Sequence, residues 1–123
     1  MINKYLIAIA SLMGFFSVAS GAFGAHALKQ KLSPEMLSVF EIGARYQMYH
    51  TFAIFAAVWL ASYLTCERCF VAGWLFFIGT LVFSGSLYAL ALTGIKSFGA
   101  ITPIGGVVLL AGWAVLAYTA LTR

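Results

Sequence analysis

Four long apolar runs, none containing Asp, Glu, Lys or Arg, constrain this chain more than any other feature. They cover Tyr5 to about Ala25, about Tyr46 to Leu64, Phe70 to Leu92, and Pro103 to Leu121. Each is roughly 20 residues, the length at which an α-helix spans a hydrocarbon core of about 30 Å. In lipid the backbone must satisfy its own hydrogen bonds, so runs of this length are read as helices. Apolar residues occur all round each run, and no single helical stripe marks an inner face.

Composition removes the alternatives. Hydrophobic residues make up 63% of the 123 residues and charged residues only 8%, whereas soluble domains carry about 25% charged residues. So few polar groups could not cover a core in water. Aromatic residues reach 16%, which excludes a disordered chain. The net charge of +4 comes from Lys and Arg scattered singly between the runs. That is the placement of headgroup anchors, and it does not suggest a nucleic-acid partner. The expectation is an all-α polytopic membrane protein: one domain over residues 1–123, a four-transmembrane-helix bundle with helices at about 5–27, 34–64, 70–92 and 103–121. Its first partner is the lipid bilayer.

Punctuation at the run ends supports these bounds. Ser33-Pro34-Glu35 reads as an N-cap, a proline in the first turn and an acid at the positive end of the helix dipole. Gly43 is a candidate hinge within that helix. Thr93-Gly94 reads as a C-terminal stop, and Thr102-Pro103 repeats the cap-plus-proline signal. The short connection at Glu67-Arg68 makes its two helices antiparallel neighbours. Lys4, the first apolar run and Ala25-His26-Ala27 imitate a signal peptide. That run is longer than a signal core and is interrupted by Gly14, Ser17 and Ser20, so it is read as a retained helix.

Small residues recur at close-packing intervals: Ser17, Gly21 and Ala25; Gly79 and Gly85; Gly105, Gly106 and Gly112. Such residues let helices approach closely in lipid, within one subunit or between subunits. With four crossings, both termini share one side. The cationic residues divide almost evenly between the two sides, so the positive-inside rule gives no orientation. The closeness of Lys29 and Lys31 inclines the reading toward a cytoplasmic first loop.

The same topology sorts the polar residues. His26, Glu41, Arg45, Gln47, His50, Ser84, Ser86 and Lys96 fall in the half of the membrane beneath the first and third connections. They form the candidate polar cluster. Glu41 and Arg45 are spaced for an intrahelical ion pair. Glu41 and His50, nine residues apart, point in nearly opposite directions at about 100° per residue. A haem held by His26 and His50 is geometrically conceivable. Two imidazoles fall short of the three protein ligands usual for catalytic zinc, so no metal or cofactor is assigned. Cys66-Glu67-Arg68-Cys69 is a C-x-x-C in a tight turn with no thioredoxin-like context and no second cysteine pair. It is read as incidental, although an oxidising compartment would allow a disulfide. Ser84-Gly85-Ser86 lacks the strand-turn-helix setting of a nucleophile elbow, and the chain contains no Asp. No catalytic constellation is found.

Four motifs stand in a specific order: Gly21-Ala22-Phe23-Gly24-Ala25-His26-Ala27-Leu28, Tyr46-Gln47-Met48-Tyr49-His50, Phe83-Ser84-Gly85-Ser86-Leu87-Tyr88, and Ile101-Thr102-Pro103-Ile104-Gly105-Gly106. Over nearly its whole length the chain resembles the YgdD/YwdK-like small membrane proteins, a domain of unknown function with a small mitochondrial transmembrane relative in animals. The resemblance implies a multi-pass protein of the bacterial inner membrane. It implies no activity, substrate or catalytic residue. The expected function is that of a non-enzymatic accessory or assembly protein acting through helix packing, as a homo-oligomer or with a membrane protein partner. The alternative is a small transporter, or a lipid-, quinone- or haem-binding protein.

Overall fold

A computed structural model describes residues 3–122. Among them the chain forms four long α-helices: α1 (Lys4–Phe23), α2 (Pro34–Tyr63), α3 (Arg68–Thr93) and α4 (Thr102–Thr122). A π-helical turn, Gly24–Leu28, extends α1, and a 3-10 turn, Lys96–Ala100, leads into α4. The π turn was not foreseen from the sequence. Gly24 and Leu28, four residues apart and so on one face of it, are both buried beside Phe40 of α2.

The helix ends follow local chemistry. The Ser33 side chain accepts from the Met36 N–H at 3.2 Å and Pro34 opens α2. Gly94 closes α3 in the left-handed region, with φ 72°. The end of α2 is less ordinary. The Cys66 N–H reaches back to the Ala61 carbonyl at 2.9 Å, and Thr65 takes the left-handed position with φ 52°. That closure normally uses Gly, because a β-branched residue is strained there. It turns the chain within three residues and buries Cys66 and Cys69 against Ala61.

Packing follows chain order: α1 lies on α2, α2 on α3 and α3 on α4, whereas α1 and α3 touch only sparingly. The pair α2–α3 is therefore the centre and α1 and α4 are its flanks. All four helices contribute to the main core, which contains Leu6 and Ala10 of α1, Ile54 and Ala57 of α2, Phe76 of α3 and Leu109 of α4. The outer surface is apolar. Phe15, Phe52, Val107 and Leu110 are each more than 60% exposed, an arrangement suited to lipid and not to water.

Among the described residues, three helical stretches are long and apolar enough to cross a membrane: Lys4–Leu28, Arg68–Thr93 and Lys96–Thr122. The second helix falls outside that group despite its 30 residues. The polar residues in its apolar half explain this: Gln47, His50 and Thr51 lower its mean hydropathy, yet all three are buried among the other helices. Gly43 does not act as a hinge, since α2 runs unbroken through it. Its role is close approach: an added Cβ would lie 2.9 Å from the Tyr88 ring.

Candidate functional site

The polar cluster expected from topology separates into two groups. Gln47, His50, Ser84 and Ser86 are buried. His26, Glu41, Arg45 and Lys96 are exposed and do not join them. The separation has a simple cause: Glu41 and Arg45 fall on the outer face of α2, and His26 and Lys96 lie in the end turns.

The buried group is a seam of hydrogen bonds between helices. The Gln47 side chain donates to the Met13 carbonyl of α1 at 2.8 Å and accepts from the Tyr88 hydroxyl of α3 at 2.7 Å. One side chain thus ties three helices together. Two consecutive carbonyls of α2 each receive a hydroxyl from a different neighbour. Ser17 of α1 donates to Ala44, and Ser84 of α3 donates to Gly43, both at 2.7 Å. Thr51 bonds back to the Gln47 carbonyl at 2.8 Å. Ser86 bonds both the Phe83 carbonyl and the Thr102 hydroxyl. The expected capping role of Thr102 is therefore replaced, for its side chain, by a tie from α4 to α3.

His50 is 5% exposed and has both ring nitrogens engaged. The Tyr46 carbonyl, 2.8 Å from Nδ1, can only accept, so Nδ1 carries the proton. The Trp113 indole N–H, 3.1 Å from Nε2, can only donate, so Nε2 is bare. The ring is held as the neutral Nδ1–H tautomer, joining α2 to α4. Neither nitrogen is presented to a metal or haem, and the cleft that His50 lines does not include His26. The two imidazoles are not brought together as a haem pair. Among the described residues, no group of three or more His, Cys, Asp or Glu is placed to hold a metal ion.

The glycines divide as well. On the α3–α4 seam, an added Cβ would lie 2.7 Å from Leu109 at Gly79, 2.4 Å from the Phe83 nitrogen at Gly105, and 2.6 Å from Phe76 at Gly112. Gly106 is in ordinary contact with Phe83 at 3.8 Å. A Cβ at Gly21 or Gly85 meets nothing within 4 Å, and Ala25 is exposed. As packing positions within this chain, Gly21, Ala25 and Gly85 are therefore corrected: Gly21 and Ala25 are exposed, and Gly85 opens onto the gap between α1 and α3 without touching α1.

Several recesses open between the helices, and three of them border the residues singled out above. A groove of 590 Å³ separates α1 from α2 and is floored by small residues including Ala10, Ser11, Gly14 and Ala19. A cleft of 410 Å³ between α2 and α4 has His50 and Trp113 at its base. A cleft of 340 Å³ lies between α1 and α3, floored by Gln47, Thr80, Ser84 and Tyr88. Thr80 and Trp113 were missed by sequence reasoning. For Thr80 a signal existed: Thr80, Ser84 and Tyr88 recur every four residues and so share one face of α3. For Trp113 there was none, because an aromatic residue in an apolar run is ordinary.

A family model described as a protein of unknown function, DUF423, matches residues 20–106. A UPF0382 membrane protein of Staphylococcus haemolyticus is 48% identical over 113 residues, covering 92% of each chain. A UPF0382 membrane protein of Haemophilus influenzae is 48% identical over 119 residues, covering 96% of this chain and 94% of its own. The UPF0382 membrane protein YwdK of Bacillus subtilis is 40% identical over 118 residues, covering 95% of this chain and 96% of its own. No solved structure matches the chain.

Proposed function

The chain belongs to the DUF423 family of membrane proteins, and from that premise we propose that it is a non-enzymatic accessory or assembly protein of the bacterial inner membrane, crossing the bilayer four times. The observation that carries this reading is the state of its interior. Gln47, His50, Ser84 and Ser86, the buried side chains best suited to chemistry, are each bonded to another helix. They hold the bundle together and leave no set of groups converging on a substrate.

The exterior supports partnership. Gly21 and the groove floored by Ala10, Gly14 and Ala19 offer a small-residue face where another helix could approach closely. A second copy of the chain or a different membrane protein would serve as partner. The fourth crossing, by α2, rests on its length of about 45 Å for 30 residues and on the inward burial of its polar groups. Exposed Tyr5, Trp59, Tyr63 and Tyr118 gather at the end of the bundle near Lys4 and Arg68, where aromatic residues anchor helices at an interface.

Cross-linking in native membranes tests the reading. Gly21→Leu and Ala19→Leu, both outward-facing, are expected to abolish a cross-linked product while leaving thermal stability unchanged. An unaltered product in both variants, with function in cells intact, would overturn the proposal. A transport role is the second reading, favoured by the polar-floored clefts beneath the first and third connections. Solute flux into reconstituted vesicles, lost on filling either cleft, would replace the accessory role with that one.

A further inference from the structure

The α1–α3 cleft contains a polar atom that the bundle itself does not use. Gln47, Ser84 and Tyr88 on its floor are bonded to other helices. Thr80, also lining it, is 4% exposed, and its hydroxyl oxygen has no hydrogen-bond partner. A buried hydroxyl left in this state is costly, and an occupant bearing an acceptor would relieve it.

The dimensions select the kind of occupant. From Phe77 to Tyr88 the cleft follows α3 for about 16 Å. Its 340 Å³ spread over that length makes it a narrow slot, suited to an extended hydrocarbon chain or a flat ring. A transmembrane helix is about 10 Å across, so it could lie over the cleft but not enter it.

Depth and charge narrow it further. Thr80 lies 12 residues from Arg68 and 13 from Thr93, near the middle of α3, or about 18–20 Å from either end. The phosphate and ester groups of a phospholipid stay at headgroup level and do not reach that depth. No charged residue lines the cleft, whereas Phe16, Phe77 and Tyr88 do, so a charged head would go unpaired there.

We propose that the α1–α3 cleft binds a neutral, single-tailed membrane lipid with a flat carbonyl-bearing head, the chemistry of a prenyl quinone, whose carbonyl oxygen accepts a hydrogen bond from Thr80. The tail leaves along the open side of the cleft beside Gly85, where a Cβ would meet nothing within 4 Å. This goes beyond the accessory role and does not depend on it, because the cleft and the α1–α2 groove are separate recesses.

The probe is a benzoquinone with a decyl tail, titrated into the detergent-purified full chain and read by quenching of tryptophan fluorescence. Trp74 packs on Phe77, with ring centroids 6.2 Å apart, and so reports from the cleft wall. Saturable quenching is expected. Gly85→Leu, at a position where an added Cβ meets nothing within 4 Å, should abolish it by filling the cleft, and Ala117→Leu on the exposed face of α4 should leave it unchanged. Thr80→Val should weaken binding about five- to tenfold, the value of one hydrogen bond, without lowering the melting temperature of the empty protein. That last pairing separates a ligand contact from a structural one. Unsaturable quenching, or a stable Gly85→Leu protein binding like wild type, would overturn the proposal. Equal competition by decanol or by phosphatidylglycerol would overturn it too, since the cleft would then be taking hydrocarbon without reading the head.

Discussion

Gln47 is where three helices meet, and its two ends are engaged by groups of different kinds. Met13 supplies a carbonyl that also belongs to the α1 ladder, whereas the Tyr88 hydroxyl has Gln47 as its acceptor. Gln47→Leu should therefore cost about 1 kcal/mol, chiefly by stranding Tyr88. Adding Tyr88→Phe should recover part of that loss in a double-mutant cycle. Unfolding in mixed micelles of increasing denaturing detergent measures both. Thr119 provides the opposite case. Its side chain is fully buried and its hydroxyl has no partner. Thr119→Val, nearly the same shape without the hydroxyl, should leave stability unchanged or raise it in the same assay.

At the scale of elements, the α3–α4 contact at Gly105 is made by backbones and not by side chains. An added Cβ at Gly105 would lie 2.4 Å from the Phe83 nitrogen and 2.9 Å from the Gly79 oxygen. No rotamer change moves those atoms, so the helices themselves must separate. Gly105→Ala is expected to destabilise the bundle by about 1–3 kcal/mol. Gly106→Ala, one residue away and 3.8 Å from Phe83, should be close to neutral. A similar loss in both variants would mean that the seam is looser than the structure has it. The α1–α3 pair is the reverse: its sparse contact leaves the cleft above Thr80, and the seam through Gln47 spans the gap by hydrogen bonds instead of packing.

At the scale of the whole molecule, the four crossings proposed above require the 3-10 turn and the end of α4 to lie on opposite faces of the membrane. With Cys66 and Cys69 replaced by Ser, cysteines introduced at the exposed positions Ser97 and Thr122 should be labelled from opposite sides of intact spheroplasts and inverted vesicles. Labelling of both from one side would mean that α4 does not cross the membrane between them. The same experiment gives the orientation, which the nearly balanced cationic residues do not.

How much of this was legible in advance follows from the solvent. Lipid accepts no hydrogen bonds, so a long uncharged run has only one economical backbone, and each helix begins and ends within a few residues of where caps, prolines and glycines place it. Helix position and the all-helical class are thus properties of the sequence alone, as are the motifs that mark the family. The facing of each residue is not. In water an apolar stripe announces the inner side of a helix, but these helices are apolar all round and carry no such mark. Gly21 and Gly105 are the same residue in similar surroundings, yet one is open and the other lies against a backbone nitrogen. Glu41 and Gln47 share a helix, yet one is exposed and the other joins three helices. Only tertiary packing chose between these outcomes, because in a bilayer the distinction between inside and outside rests on steric fit and on the pairing of polar groups, and both depend on the neighbouring helix.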